Sequence, residues 1–314
     1  MTSRSPRLGY LLVVAAAVLF GVNAGVSRIP LRSGTPTDTF TSVRITAALA
    51  VLVLVAVAVD RAALRPPRGR SLLLVVGLGL VGVTGVQWTY NVAINRLPLG
   101  IALLLEYLGP VLVVLWVRFV RSEPVAPRMW PALGLAVLGL AVVSRIWSGL
   151  EFDGLGVAMA LLAAVCFATY FLLGERGVDA DSPLQVIVWS FAAATVVMNL
   201  VQPVWTADAL GADASALGRF DEVVVPAWAA MGWVVVLGTV APFFLLLVAL
   251  RMLSATIVSV VAMLEPVVAA LVGWGWFRET LTPLQILGMA MVLSGVVLAQ
   301  TSRRSEPAPL PPPT

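Results

Sequence analysis

The sequence contains no lysine and no histidine: all 20 of its cationic side chains are arginines, and Cys166 is the single cysteine in 314 residues. These absences remove whole classes of chemistry. A phosphate-binding Gly-Lys-Ser/Thr loop, a Schiff-base lysine, a Ser-His or Cys-His catalytic pair and a histidine metal site are all excluded. One cysteine forms neither an intrachain disulfide nor a multi-cysteine zinc site, so neither metal nor cofactor is expected. Charge is scarce as well, with 11% of residues charged against 60% hydrophobic and a mean hydropathy of +0.99. A soluble domain carries about 25% charged residues, so this is the composition of an integral membrane protein with the lipid bilayer as partner. The sequence pI near 10.0 would suggest nucleic acid in a soluble chain. Here the arginines sit in links between apolar runs, where they set orientation, and no nucleic-acid partner is expected.

One stretch occurs twice. Leu97 to Gly139 and Leu253 to Gly295 align without a gap at an offset of 156 residues, placing Pro110 on Pro266, Glu123 on Glu279, Pro127 on Pro283 and Gly139 on Gly295. Apolar matches are cheap in so apolar a chain, so the weight falls on the Pro, Glu and Gly coincidences. The match extends upstream: Gly82 meets Gly238 and Ala93 meets Ala249 at 156, and Leu8-Gly9 with Phe20 meets Leu155-Gly156 with Phe167 at 147. The chain therefore reads as two related halves.

Ten runs are long enough to cross about 30 Å of hydrocarbon at about 1.5 Å per residue. They lie at 9–29, 37–59, 71–94, 98–120, 128–146, 154–174, 183–203, 226–249, 254–277 and 281–301. The first has the alanines of a signal-peptide cleavage site at Ala15 to Ala17, but it exceeds an ordinary signal core and pairs with the sixth run, so it is expected to stay. Pro98, Pro131, Pro183, Pro226 and Pro283 mark helix starts. The PAPLPPP tail after Thr301 is expected to be disordered. With the N-terminus in the cytoplasm, 13 arginines fall on the cytoplasmic side and 6 on the other, which favours cytoplasmic termini. Five helices per half is an odd number, so the second half enters the membrane inverted relative to the first, with a shared cavity near the midplane. The fold class expected is an all-α membrane protein of ten transmembrane helices in two five-helix inverted-topology repeats.

LPLGIALLLEYLGP from Leu97, the Ser42-Val43-Arg44 pattern in the second run and MLEPVVAALVGWGWFRETLTPLQILG from Met263 resemble the EamA domains of the drug/metabolite transporter superfamily, and within them the threonine/homoserine exporters. The resemblance spans both halves, giving repeats at 9–146 and 154–301 followed by the tail at 302–314. It implies a bacterial inner-membrane carrier that exports small metabolites, amino acids first, by proton- or gradient-coupled secondary transport, and no enzyme. A lipid-linked metabolite carrier, a drug carrier or an importer on the same scaffold stands as the alternative, and an intramembrane enzyme with paired carboxylates as a weaker one. Oligomeric state is left open, a homodimer included.

Glu106 and Glu265 are the acids lodged deep in apolar runs, where a charge costs about 2.5–3.5 kcal/mol on insertion scales. Counting along the helices puts Glu106 roughly 12 Å, Glu265 roughly 13 Å and Arg44 roughly 11 Å from the outer edge. Three charges at one level suggest a substrate and coupling cluster, with the arginine neutralising one acid and the other binding a proton or a substrate ammonium. The competing reading is a structural ion pair plus a protonated, hydrogen-bonded acid. Tyr107, Gln87, Asn91, Asn23 and Tyr170 complete the candidate site, with Trp88, Tyr90, Trp189 and Asn199 as further polar or aromatic candidates. Each also has an ordinary use in holding helices together or in an interfacial belt. Glu123 and Glu279 start links and suit helix-end pairing. Pro110, Pro242 and Pro266 interrupt helices, and Pro110 and Pro266, at matching sites, are the candidate hinges. For the topology, a periplasm-active reporter fused near Ala209 is expected to be active and one fused after Thr301 inactive. Activity at both positions would remove the ten-crossing arrangement.

Overall fold

The computed structural model describes residues 6–32, 34–94, 96–97, 99–143, 153–206, 214–278 and 280–301. Arg4, Pro98, Arg145, Ala209, Glu279 and the Pro-rich tail lie outside the described residues. Among those described, nine helices are long and apolar enough to cross a membrane. They are α1 (Pro6–Leu31), α2 (Thr37–Val59), α3 (Arg70–Ala93), α4 (Ala102–Val120), α6 (Gly154–Ala180), α7 (Pro183–Val201), α8 (Ala227–Leu250), α9 (Ala255–Phe277) and α10 (Pro283–Thr301). Between α4 and α6 lies α5 (Met129–Val143), whose 15 residues span about 22 Å at 1.5 Å per residue. The run expected at 128–146 thus has a described helix shorter than a bilayer crossing, and its last residues lie outside the described set. The α7–α8 link carries two two-residue antiparallel strands, Ala214–Ser215 and Val224–Val225.

Sequence sets the helix ends. Ser182 caps α7, its hydroxyl accepting from the Gln185 amide at 3.2 Å with Pro183 in the first turn. At α10, Thr282 and Gln285 cap reciprocally: the Thr282 amide donates to Gln285 Oε1 at 3.0 Å and the Gln285 amide to Thr282 Oγ1 at 3.3 Å. Asp153 caps α6 through the Gly156 amide at 2.8 Å and accepts from Arg96 at 2.9 Å. Those two donors, the amide first, hold its carboxyl below its ordinary range.

Two helices are broken at corresponding places. Regular α-helix in α4 stops at Glu106 and resumes at Gly109; in α9 it stops at Ala262 and resumes at Glu265. The gaps, Tyr107-Leu108 and Met263-Leu264, stand 156 residues apart. The cause is Pro110 and Pro266, which have no N–H for the carbonyl four residues back. The gap amides turn to tighter partners: Leu108 donates to Leu105 O at 3.2 Å, Met263 to Val260 O at 3.2 Å and Leu264 to Val261 O at 3.1 Å. A second irregularity pairs α3 and α8, which widen to π-helix over Leu78–Gly85 and Val236–Val240.

Packing between the halves relies on small residues. α5 lies along α10, α2 along α7, α1 against α8 and α9, and α6 against α3 and α4. Gly82 faces the Tyr170 backbone and Gly238 the Asn23 side chain. A Cβ on Gly139 would stand 2.6 Å from the Gly288 carbonyl oxygen, and one on Gly288 2.7 Å from the Gly139 oxygen. Gly139→Ala is therefore expected to force α5 off α10 and destabilise the protein by about 1–3 kcal/mol. Gly134→Ala in the same helix, where a Cβ meets nothing within 4 Å, serves as the control. Thermal unfolding of the two purified variants in one detergent checks this; equal melting temperatures would contradict it.

Candidate functional site

The end of the bundle where α1 begins is tightly packed: Gly9 meets Leu253, and Gly174 meets Leu247 and Leu250. Toward the end where α1 finishes, the helices diverge around a cavity of about 720 Å³. Its walls come from α1, α2, α3, α4, α6, α8 and α9, with Val143 of α5 and Gln285 of α10 at the rim. Its floor is aromatic. Phe20 meets Phe243 edge-on at 5.1 Å, Phe243 meets Tyr170 at 5.4 Å, and Phe167 meets Tyr107 at 5.6 Å. The Tyr170 hydroxyl donates to the Phe243 carbonyl at 3.1 Å.

Glu106, Glu265, Arg44, Tyr107, Gln87, Asn91, Tyr170 and Pro266 all line this cavity. The helix breaks explain how the two acids meet although they are not equivalent positions. α4 runs away from the cavity mouth and α9 runs toward it, so Glu106, just before its break, and Glu265, just after its own, both lie on the mouth side. Glu106 is buried, Glu265 half-buried. Each carboxylate lies in the field of the other, and the hydroxyls of Tyr90 and Tyr107 share that field.

Arg44 does not divide itself between the acids. Its Nε donates to Thr239 Oγ1 at 2.6 Å and its Nη2 to the Gly238 carbonyl at 2.9 Å, both in the π-helical turn of α8. Thr239 in turn donates to the Val234 carbonyl at 2.8 Å. Held there, Arg44 acts electrostatically on Glu265. The Glu106 carboxyl has no hydrogen-bond partner among the described residues, and the charge it feels is that of Glu265.

Other candidates fall outside the cavity lining. Asn23 is buried against Gly238 and accepts from Ser27 at 3.2 Å. Pro110 is buried beyond the α4 break, away from the wall. Asn199 donates to Thr46 at 2.9 Å, joining α7 to α2, and Trp88 is 47% exposed on the outer surface. Asn91 both lines the cavity and donates to Thr41 of α2 at 2.9 Å. Sequence reasoning missed Ser27, Arg28, Phe277 and Gln285 at the rim, where the Arg28 guanidinium stacks 4.6 Å from the Phe277 ring centroid. Arg28 was visible only as one more link arginine, and Gln285 only as a helix-start residue.

A multi-pass bundle of apolar helices around a cavity with buried charge defines a membrane transport protein. The model of the EamA-like transporter family matches residues 7–145 and again 154–301, and the chain belongs to that family. It is similar to the threonine/homoserine exporter RhtA of Salmonella typhimurium strain LT2, 31% identical over 298 residues, 95% of this chain and 92% of the relative. The Escherichia coli K12 protein of that name is 30% identical over 297 residues, covering 94% and 92%. A probable terminal-alkyne amino-acid exporter of Streptantibioticus cattleyicolor is 25% identical over 246 residues, covering 78% and 79%. A solved crystal structure superposes with a TM-score of 0.76 at 20% identity, covering 95% of this chain and 99% of that one, and shares the fold.

Because Arg44 both staples α2 to α8 and compensates Glu265, Arg44→Gln is expected to lower stability by about 1–3 kcal/mol, the cost of leaving buried polar groups unpaired. Adding Glu265→Gln should recover part of that loss; adding Glu106→Gln should not. Melting of the single and double variants in detergent tests the assignment, and recovery with Glu106→Gln alone would reverse it.

Proposed function

We propose that this protein is a secondary exporter of small metabolites, amino acids first, coupled to the proton gradient across a bacterial inner membrane. The observation that carries the proposal is a mid-bundle cavity with two carboxyls and one firmly held arginine on Glu265. A lone carboxylate in a low-dielectric site is costly, so Glu106 needs a cation. A proton serves when the cavity is empty, and a substrate ammonium serves when it is full. The two compete for one group, so loading substrate releases a proton, and inward return of the proton resets the site. The aromatic floor and the tyrosine hydroxyls suit a small amphipathic solute. The names of the RhtA and alkyne amino-acid relatives support the substrate class.

In this proposal α5 makes the tenth crossing, and residues 9–146 and 154–301 are two units of inverted topology. Support comes from the matching helix breaks, the matching π-turns, and the parallel pairings of α1 with α8 and α9 and of α6 with α3 and α4. The termini are cytoplasmic, so the cavity faces the periplasm in this conformation. Rocking of the halves about the breaks at Pro110 and Pro266 would turn it to the cytoplasm.

Proteoliposomes preloaded with labelled threonine or homoserine test this. Wild-type vesicles are expected to lose label faster when a pH gradient is imposed. Glu106→Gln keeps size and hydrogen bonding but cannot titrate, and should reach the membrane normally while losing the gradient response. Gradient-stimulated efflux through Glu106→Gln would overturn the coupling role, and the absence of any efflux of an amino-acid panel would overturn the substrate class.

A further inference from the structure

The packed end of the bundle is held by a group the transport site does not use. Glu175, near the end of α6, accepts from Arg121 at the end of α4 through one carboxylate oxygen and from the Ala255 amide through the other, at 2.7 Å. Ala255 is the first residue of α9, so Glu175 also satisfies an N-terminal amide of that helix. The two helices it joins are the two broken ones, and it grips each beyond its break, on the side away from the cavity mouth. Its neighbours Glu123, Arg176 and Asp179 line the same surface recess, but among the described residues only Glu175 bonds both α4 and α9.

We infer that Glu175 is the latch that keeps this end closed, and that it must let go of Arg121 and Ala255 for the cavity to open there. This rests on the proposed transport cycle. Three observations carry it. The pair is mostly removed from water, with the Arg121 and Glu175 side chains 13% and 16% exposed, so it resists screening better than a surface pair. It is also under-satisfied, because Arg121 Nε and Nη2 are buried without a partner among the described residues. An arginine with two idle donors loses less on release than one fully bound. Finally, the repeat offsets of 147 and 156 put Arg28 where Glu175 would be and Phe277 where Arg121 would be at the mouth. There Arg28 lies over the Phe277 ring, and an arginine cannot accept from a helix N-terminal amide. The positions that pair as a carboxylate latch at the packed end are therefore occupied by different chemistry at the mouth.

Cysteine accessibility tests this in purified protein, in a Cys166→Ala background carrying Ser259→Cys. Ser259 lies in the first segment of α9, fully buried at the latched end. A hydrophilic maleimide is expected to label this cysteine about tenfold faster in Glu175→Gln, the shift that follows when one closed-state ion pair and one helix cap are weakened. Arg121→Gln should accelerate labelling less, since the Ala255 bond remains. The exchange Arg121→Glu with Glu175→Arg restores the pair but not the cap, and should fall between the wild type and Glu175→Gln. If Glu175→Gln does not fold, the Arg121→Gln and exchange variants carry the test. Labelling unchanged in every folded variant would overturn the latch, even with amino-acid efflux intact. Faster labelling in a protein that moves no amino acid would keep the latch and remove the substrate reading.

Discussion

Hydrocarbon offers no hydrogen-bond partner, so any backbone or side-chain polar group placed in it must be satisfied within the protein. The fold is shaped by where this requirement is strained. Pro110 and Pro266 each leave a carbonyl without its usual donor, and the breaks they cause lie inside the bundle rather than against lipid. The π-turn of α8 offers the Gly238 carbonyl, and Arg44 takes it together with the Thr239 hydroxyl. Irregular backbone, half-buried arginine and paired carboxyls thus occupy one region because each needs the others, and the cavity is where they meet.

The same requirement decides which residue can do chemistry. Glu265 has a cation in its field, and that cation is held by two bonds to α8. Glu106 has no such support among the described residues, and in the proposed cycle its counter-ion comes and goes. Arg44 is accordingly a strut that sets the local charge, its Nε and Nη2 engaged by α8, while in the proposed cycle Glu106 is the group left to exchange its counter-ion. The helix breaks tie this site to the rest of the molecule, since the segments beyond them are those joined at the packed end by Glu175. In the proposed cycle, change at that end reaches the acids through the breaks.

Much of this was legible in the residues. Run lengths and helix-start prolines placed most boundaries within a few positions, because a bilayer fixes how many apolar residues a crossing needs. Depth counting along α2, α4 and α9 gathered Arg44, Glu106 and Glu265, because rise per residue is constant. Hydrogen-bond direction was not legible: no count predicts that Arg44 reaches Gly238 and Thr239 and acts on Glu265 rather than Glu106. Nor could it show that Asn23 packs on Gly238 instead of facing the cavity, since a small shift in helix rotation decides which face a residue presents. α5 read as a full crossing, but its described helix is 15 residues. Glu175 was hidden because a carboxylate at a helix end is ordinary in sequence, and its partners are 54 and 80 residues away.

The central claim is that one carboxyl exchanges a proton for the substrate's cation. Its most direct test is proton release on substrate binding by purified protein in weakly buffered detergent solution near neutral pH. Threonine or homoserine is expected to release up to about one proton per bound molecule, and none from Glu106→Gln, as linkage between proton and ligand at a single site requires. Binding without proton release, or equal release from the Glu106→Gln variant, would contradict the account.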